Sequence, residues 1–477
     1  MEKTILKVVC FCMVLTCVLG YVNKIFAVKY SDGIYSMQKF YEQEEGTIDV
    51  LVLGSSHAFE DINTGVLWDD YGIASYILAG SVQPMWNTYY YLKEALKTQT
   101  PELVILEAYM TCFSEEYAED SCVIKNTYGM RWSKDRINAI KISAPRERWT
   151  EFLLSYIQYH TRYKELSGAD FLKDKGKALY ENWKGFGCNM ETMAFDMSDV
   201  SDVIERKDMA EKTEKYYRKT IELALENNIP IVVVVSPFAG IKPEHQTIFN
   251  TASDIAQEYG ICYINYNLFY EEMGLDFSCD AADGGHLNYR GNPKYTKALG
   301  KYIKENYSIT DRRGDKAYES WEANAQYISS VIENRAFVEA TDVQELTSKI
   351  KNPDYTIVVS VDGECTTADE YLGELFDVIG LSHAGENGIW CIDNAEGVLF
   401  TIGWEEMTRY RRMGSYDFRV SRVFDQDTQK YISSVIINGN ECIKVKNGVN
   451  IQVYDEVTRT IVDTFGIDAD DSYRVVR

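Results

Sequence analysis

Hydrophobic positions fall into three regimes along the 477 residues. Residues 8–22 are apolar and uncharged throughout; a middle section then alternates short apolar runs with stretches of helical period; a third section mixes both patterns differently. The middle section is the most regular. Residues 48–53 are almost continuously apolar and stop at Gly54, as a strand buried on both faces does. Residues 75–78 stop at Ala79 and Gly80, and residues 103–106, 230–235 and 261–264 complete five such runs. Pro84 opens a helix to residue 97, proline being tolerated in a first turn. Tyr217, Ile221, Ala224 and Leu225 share one helical face, and a last helix is expected over 293–306. This alternation predicts an α/β fold, a doubly wound (flavodoxin-like) parallel sheet of about five strands whose ligands bind beyond the strands' carboxyl ends.

Between the third and fourth runs, residues 111–206 are rich in aromatic and charged side chains and too long for a bare loop. A mainly helical cap over the strand ends is expected there. A polar helical stretch follows over 311–334, and the pattern then changes. Thr367 and Glu370 have capping-box spacing ahead of Leu372, Leu375, Phe376 and Ile379 on one helical face. Asn438-Gly439 and Asn447-Gly448 are hairpin-turn dipeptides, and Val449, Ile451 and Val453 alternate as in a half-buried strand. The expected organisation is a signal anchor or signal peptide (1–26), a tether (27–46), an α/β domain (47–308), a helical linker (309–345) and a smaller mixed α/β domain (346–470).

The apolar run at residues 8–22 is short for a spanning helix, but Lys7 and Lys24 can snorkel and residues 25–28 extend it. An uncleaved anchor is the preferred reading, with a cleaved signal or a buried core helix as alternatives. A formal net charge of −24 argues against nucleic acid or anionic head groups as principal partners. Eleven cysteines occur without a CxxC pair or metal-ligand spacing, so neither a metal nor any other cofactor is expected. Cys112 and Cys122 can bridge if the domain lies outside a membrane; packing as small hydrophobes is the competing reading.

The chemistry concentrates at the ends of these runs. Gly54-Ser55-Ser56-His57 puts a serine in the turn after the first strand, and a serine hydroxyl needs a base oriented by a carboxylate before it becomes a useful nucleophile. Of five histidines, His286 stands in Asp283-Gly284-Gly285-His286, after the fifth strand and on the same sheet edge as Ser56. These motifs resemble the SGNH (GDSL-like) hydrolase family. The resemblance implies Ser56 as nucleophile, Asp283 and His286 as its partners, and the amides of Ser56 and Gly80 as oxyanion donors, each worth roughly 3 to 4 kcal/mol. Where typical members carry an asparagine after the third strand this chain has Glu107, which is acceptor-only when ionised. Gln83 and Asn87 are candidates to stand in, and His57 and His160 are further candidates for contacting substrate; His245 and His383 have no catalytic context.

The departure at Glu107 makes the chain more similar to the cell-envelope branch, which includes the D-alanine transfer protein of teichoic-acid operons and alginate O-acetylation proteins. That implies a serine esterase or O-acyltransferase held outside the cytoplasm by a single N-terminal anchor, or secreted if cleaved. Its expected partners are an acylated cell-surface polysaccharide and a membrane-bound O-acyltransferase. Residues 352–361, Ile436 to Gly439, 448–455 and 461–465 resemble an interleukin-like EMT inducer (PANDER-like) domain, which implies an accessory carbohydrate-binding role; a structural or dimerising role is the alternative. Two other readings stand beside the enzyme: a non-catalytic glycan-binding or assembly protein with a degenerate triad, and an intracellular lipase or thioesterase whose N-terminal run is a core helix.

Overall fold

A computed structural model describes residues 2–27, 32–166, 168–171, 183–365, 371–381, 387–403, 405–426 and 429–477, apart from the side chains of Glu2 and of residues 160, 161, 168 and 169. The chain divides into two compact units, Met1–Ala325 and Gln326–Arg477, with helix Glu319–Val338 running across the division.

In the first unit, β1 (Val50–Gly54), β2 (Ser75–Ala79), β3 (Leu103–Glu107), β4 (Ile231–Val235) and β5 (Cys262–Asn265) form a parallel sheet in the order β2-β1-β3-β4-β5. The flavodoxin-like expectation therefore holds. β1 to β4 are buried along their whole length, which is why their sequences read as apolar runs rather than alternating ones. Leu51, Leu53, Val104, Leu106, Val233 and Val235 face a core shared with helices Met85–Ala95, Glu211–Glu226 and Pro243–Glu258. Strand periodicity sends Val50, Val52, Ile105 and Val232 to the other face, where they are equally buried. Helix Gly291–Asn306 packs with Thr64–Tyr71 and buries Tyr295, Leu299 and Ile303 outside the first cluster. Because β1 pairs with β2 on one side and β3 on the other, the turn after β1 lies where the strand order reverses, the place such sheets hold ligands.

The insertion after β3 is described outside residues 167 and 172–182. It carries short helices at Asp120–Lys125, Lys134–Ser143, Trp149–Leu153 and Ser155–Tyr159, then returns from residue 187 as largely irregular chain. Ile34, Val123, Ile124, Ile140, Ala144 and Phe152 give it a small core. Ile34 comes from helix Gly33–Phe40, which packs on β2 and buries Met37 and Phe40, so this part of the expected tether is folded into the unit. The N-terminal helix is longer than the apolar run suggested. Glu2–Phe26 has 25 residues and a rise of about 37 Å, against about 30 Å of bilayer hydrocarbon, and is long and apolar enough for a membrane span or a signal sequence. Cys112 and Cys122 are both free thiols.

The second unit is a two-layer antiparallel arrangement with helices. One sheet has the order β15-β14-β13-β6-β7-β8 and the other β12-β11-β10-β9; the strands are β6 (Tyr355–Asp362), β7 (Gly388–Asp393), β8 (Gly397–Ile402), β9 (Met407–Met413), β10 (Tyr416–Asp425), β11 (Lys430–Ile437), β12 (Asn440–Glu441), β13 (Gly448–Asp455), β14 (Thr460–Asp468) and β15 (Arg474–Val476). Val449, Ile451 and Val453 face a core with Leu346, Leu375 and Phe376, while Tyr454 faces a second core with Phe418 and Val435. β13 is thus buried on both faces, not on one. Asn438-Gly439 does make the β11–β12 turn, both residues at positive φ. Asn447-Gly448 is not a hairpin turn: it delivers the chain from β12 in one sheet to β13 in the other, and Asn447 Oδ1 accepts hydrogen bonds from the amides of Glu364 and Cys365. The Thr367–Glu370 capping box and His383 lie outside the described residues.

Candidate active site

Gly54 ends β1 in a place that tolerates no side chain, since a Cβ there would sit 2.8 Å from Glu107 Cβ and 2.9 Å from Ala58 Cβ. The chain turns at Ser55, and Ser56 opens the short helix Ser56–Asp61. Across the same edge, the loop after β5 brings up His286, whose Nε2 is 2.8 Å from Ser56 Oγ. His286 Nδ1 lies 3.0 Å from each carboxylate oxygen of Asp283, and Asp283 Oδ1 also accepts the amides of Gly285 (2.7 Å) and His286 (3.0 Å). Partial burial raises the Asp283 pKa, but the His286 ring and the Gly285 amide together outweigh it and hold the carboxyl below its usual range. The serine, the imidazole and the carboxylate named from sequence therefore form one hydrogen-bonded line.

Gly80 follows β2 at the same edge, its neighbour Ala79 in register with Gly54. A Cβ on Gly80 would fall 2.3 Å from Asn126 Oδ1 and 3.0 Å from Gly33 Cα. Gly80→Ala is accordingly expected to cost about 1–3 kcal/mol in urea unfolding and to lower turnover of an activated ester, because the cap and the strand end must separate to admit one methyl group. Gln83 and Asn87 lie in the same buried seam. Gln83 Nε2 donates to Thr88 Oγ1, while Asn87 accepts from Ser143 Oγ at 2.9 Å and donates to Asn126 carbonyl, tying helix Met85–Ala95 to the cap. The His160 side chain lies outside what is described.

His57 is buried behind His286, their ring centroids 5.1 Å apart, and stacks on Tyr109 at 3.8 Å. Burial first, then the neighbouring His286 and His245, push its pKa well below the usual value, so it packs as a neutral ring. Its Nδ1 faces Asp61 Oδ2 at 3.6 Å, beyond a good hydrogen bond. Asp61 is itself fully buried; its Oδ1 accepts the Leu287 amide at 2.8 Å, and burial drives its pKa well upward. Helix Ser56–Asp61 thereby clamps the loop that carries the base.

Two features beneath and beside the triad were not named from sequence. Glu60, one helical turn after Ser56, brings Oε2 to 4.0 Å from His286 Nδ1 and is held by Asn189 Nδ2 at 3.2 Å. Burial raises its pKa, with His286 and Asn189 opposing. The i, i+4 spacing from Ser56 was the available signal; Asn189 arrives from the cap's return segment and had none. Beneath the turn, Ser236 after β4 donates to the His57 carbonyl at 3.2 Å and its amide meets Glu107 Oε1 at 3.5 Å. Glu107 is completely buried, which raises its pKa to about 8 against the pull of the Tyr109 and Ser236 amides. The expectation of an acceptor-only side chain presumed ionisation; below about pH 8 this carboxyl keeps its proton. Among the described residues no cluster of potential metal ligands occurs.

No protein-family model matches the chain, and no curated protein does so significantly. Among solved structures, a Bacteroides fragilis protein provisionally assigned as an acylhydrolase is 12% identical, over 58% of this chain and 99% of that one, with a TM-score of 0.28. A gut microbial diltiazem-metabolizing enzyme is 11% identical, over 54% of this chain and 48% of that one, with a TM-score of 0.26.

Proposed function

We propose that this chain is an extracytoplasmic serine esterase or O-acyltransferase acting on acyl groups of a cell-surface polysaccharide. The supporting observation is the line from Ser56 Oγ through His286 to Asp283, with contacts of 2.8 and 3.0 Å, at the switch point of a parallel sheet. Ser56 Oγ attacks the acyl carbonyl carbon and its proton passes to His286 Nε2, while Asp283 fixes the Nδ1–H tautomer and balances the imidazolium. The amides of Ser56 and Gly80 hold the oxyanion. His286 returns the proton to the departing alkoxide as the tetrahedral species collapses to acyl-Ser56. Water or a sugar hydroxyl then attacks, again through His286, and the identity of that second nucleophile separates esterase from transferase. A membrane-bound O-acyltransferase is the proposed partner and helix Glu2–Phe26 the proposed anchor; the second unit is the proposed carbohydrate-binding module.

A fluorophosphonate probe is expected to label the full chain at Ser56, as read by peptide mapping. Ser56→Ala should abolish the label and lower ester turnover by at least about 10³-fold. A correctly folded wild-type chain that takes no label would mean a glycan-binding or assembly role instead.

A further inference from the structure

The cap segment from residue 154 to 171 carries large apolar side chains that the fold leaves uncovered: Leu154, Tyr156, Tyr163 and Phe171 are 41 to 62% exposed. Their neighbours Phe152 and Tyr159 are buried, so the segment has an inner face and an outer apolar one. Its position gives that outer face a partner. Ser155 Oγ donates to Asn23 Oδ1 at 3.1 Å, and Arg162 Nη1 donates to the carbonyls of Phe26 (2.5 Å) and Ala27 (3.1 Å). A guanidinium thus caps the C-terminal end of helix Glu2–Phe26, where free carbonyls and the helix dipole favour a cation. Arg162 is held in turn by Asp170 Oδ1 at 2.8 Å.

The helix leaves its apolar side chains exposed along its length, and its C-terminal end meets the cap segment that carries the other exposed apolar side chains. Tyrosine suits the zone where such a surface meets water, having an apolar ring and a polar tip. Lys24 and Lys164 flank it and can snorkel outward, and with Arg162 they oppose the carboxylates of Glu165 and Asp170. The otherwise acidic chain therefore presents a rim without excess negative charge at this place.

We infer that residues 154–166 and 168–171 lie in the interface of a phospholipid bilayer beside the emerging anchor, as an in-plane membrane contact. This rests on the reading of Glu2–Phe26 as a bilayer-crossing anchor. Phe152 shares the cap core with Ile34, and the adjoining Gly33 abuts Gly80, so the contact seats the Ser56 edge of the sheet at a fixed height above the lipid.

The test reconstitutes the full chain in phosphatidylcholine vesicles with photoreactive benzoylphenylalanine placed singly at Tyr156, Tyr163, Phe171, Leu15 within the helix, or Leu225. Leu225 is an exposed residue near the end of helix Glu211–Glu226, towards the amino edge of the sheet. Lipid adducts at the three cap positions about fivefold or more above Leu225 support the inference. Adducts at Leu15 with cap positions no higher than Leu225 overturn it and leave the anchor intact. Absence of adducts at Leu15 as well would overturn the anchor reading and the inference with it.

Discussion

Asp283→Asn is expected to lower kcat about 10⁴-fold, and Asp283→Ala to lower it markedly less. The asparagine oxygen can keep the Gly285 and His286 amides that Asp283 Oδ1 now accepts, so the loop should hold its shape. Its amide nitrogen, however, can donate to Nδ1 and so lock the proton onto Nε2, where it must be absent for His286 to take the serine proton. Alanine offers no such donor, and Glu60 Oε2, 4.0 Å from Nδ1 and so outside hydrogen-bond range at present, can accept the Nδ1–H after a shift of about 1 Å. Glu60→Gln alone is therefore expected to cost about tenfold or less, whereas Asp283→Ala with Glu60→Gln should lose far more than the two single losses multiplied. Single-turnover ester cleavage by the four variants checks this. If Asp283→Ala proves as inactive as Asp283→Asn, and Glu60→Gln changes nothing in either background, Glu60 has no share in orienting the base.

The parts of this site legible in the sequence are those carried by strand ends. Ser56 and Gly80 could be placed because buried parallel strands announce themselves as apolar runs that stop at glycine, and two such strands in register must end on one edge. Asp283 and His286 lie within one short loop, so their spacing was itself geometric information. Gln83 and Asn87 were named as stand-ins for the missing asparagine from their residue type alone, but whether an amide faces substrate or seam depends on what packs over it, here Ser143 and Asn126 from the cap. Asn189 and Ser236 reach the site from distant segments, and no local pattern encodes such contacts. In the second unit, Val449, Ile451 and Val453 alternate with Asn450 and Gln452, which period-two reasoning sends to water. A second sheet covers that face, and the polar residues are buried with Asn450 accepting the amides of Lys444 and Val445.

Glu107→Gln is expected to stabilise the protein by a few kcal/mol near pH 8 and to have little effect below pH 4.5. Burial raises the Glu107 pKa from an ordinary 4.5 to about 8. Below 4.5 the folded and unfolded chains both hold the proton, and the group contributes no pH dependence. Between 4.5 and 8 only the unfolded chain releases it, so folding stability falls as pH rises through that window and levels off above it. Glutamine does not titrate, so the variant lacks this fall, while its side-chain oxygen can still accept the Tyr109 amide that Glu107 Oε1 accepts at 3.0 Å. Urea unfolding at pH 5, 7 and 8.5 should give a wild-type-to-variant gap that widens with pH; parallel curves would mean that Glu107 ionises like an exposed carboxylate. The consequence reaches the catalytic turn. Glu107 packs against Gly54, and its partner Ser236 also supports the His57 carbonyl, so ionisation would place a buried negative charge beneath Ser56. Wild-type ester turnover should consequently decline as pH passes about 8, where the folded chain itself gives up the Glu107 proton and the stability loss is already complete, and in Glu107→Gln both declines should be absent.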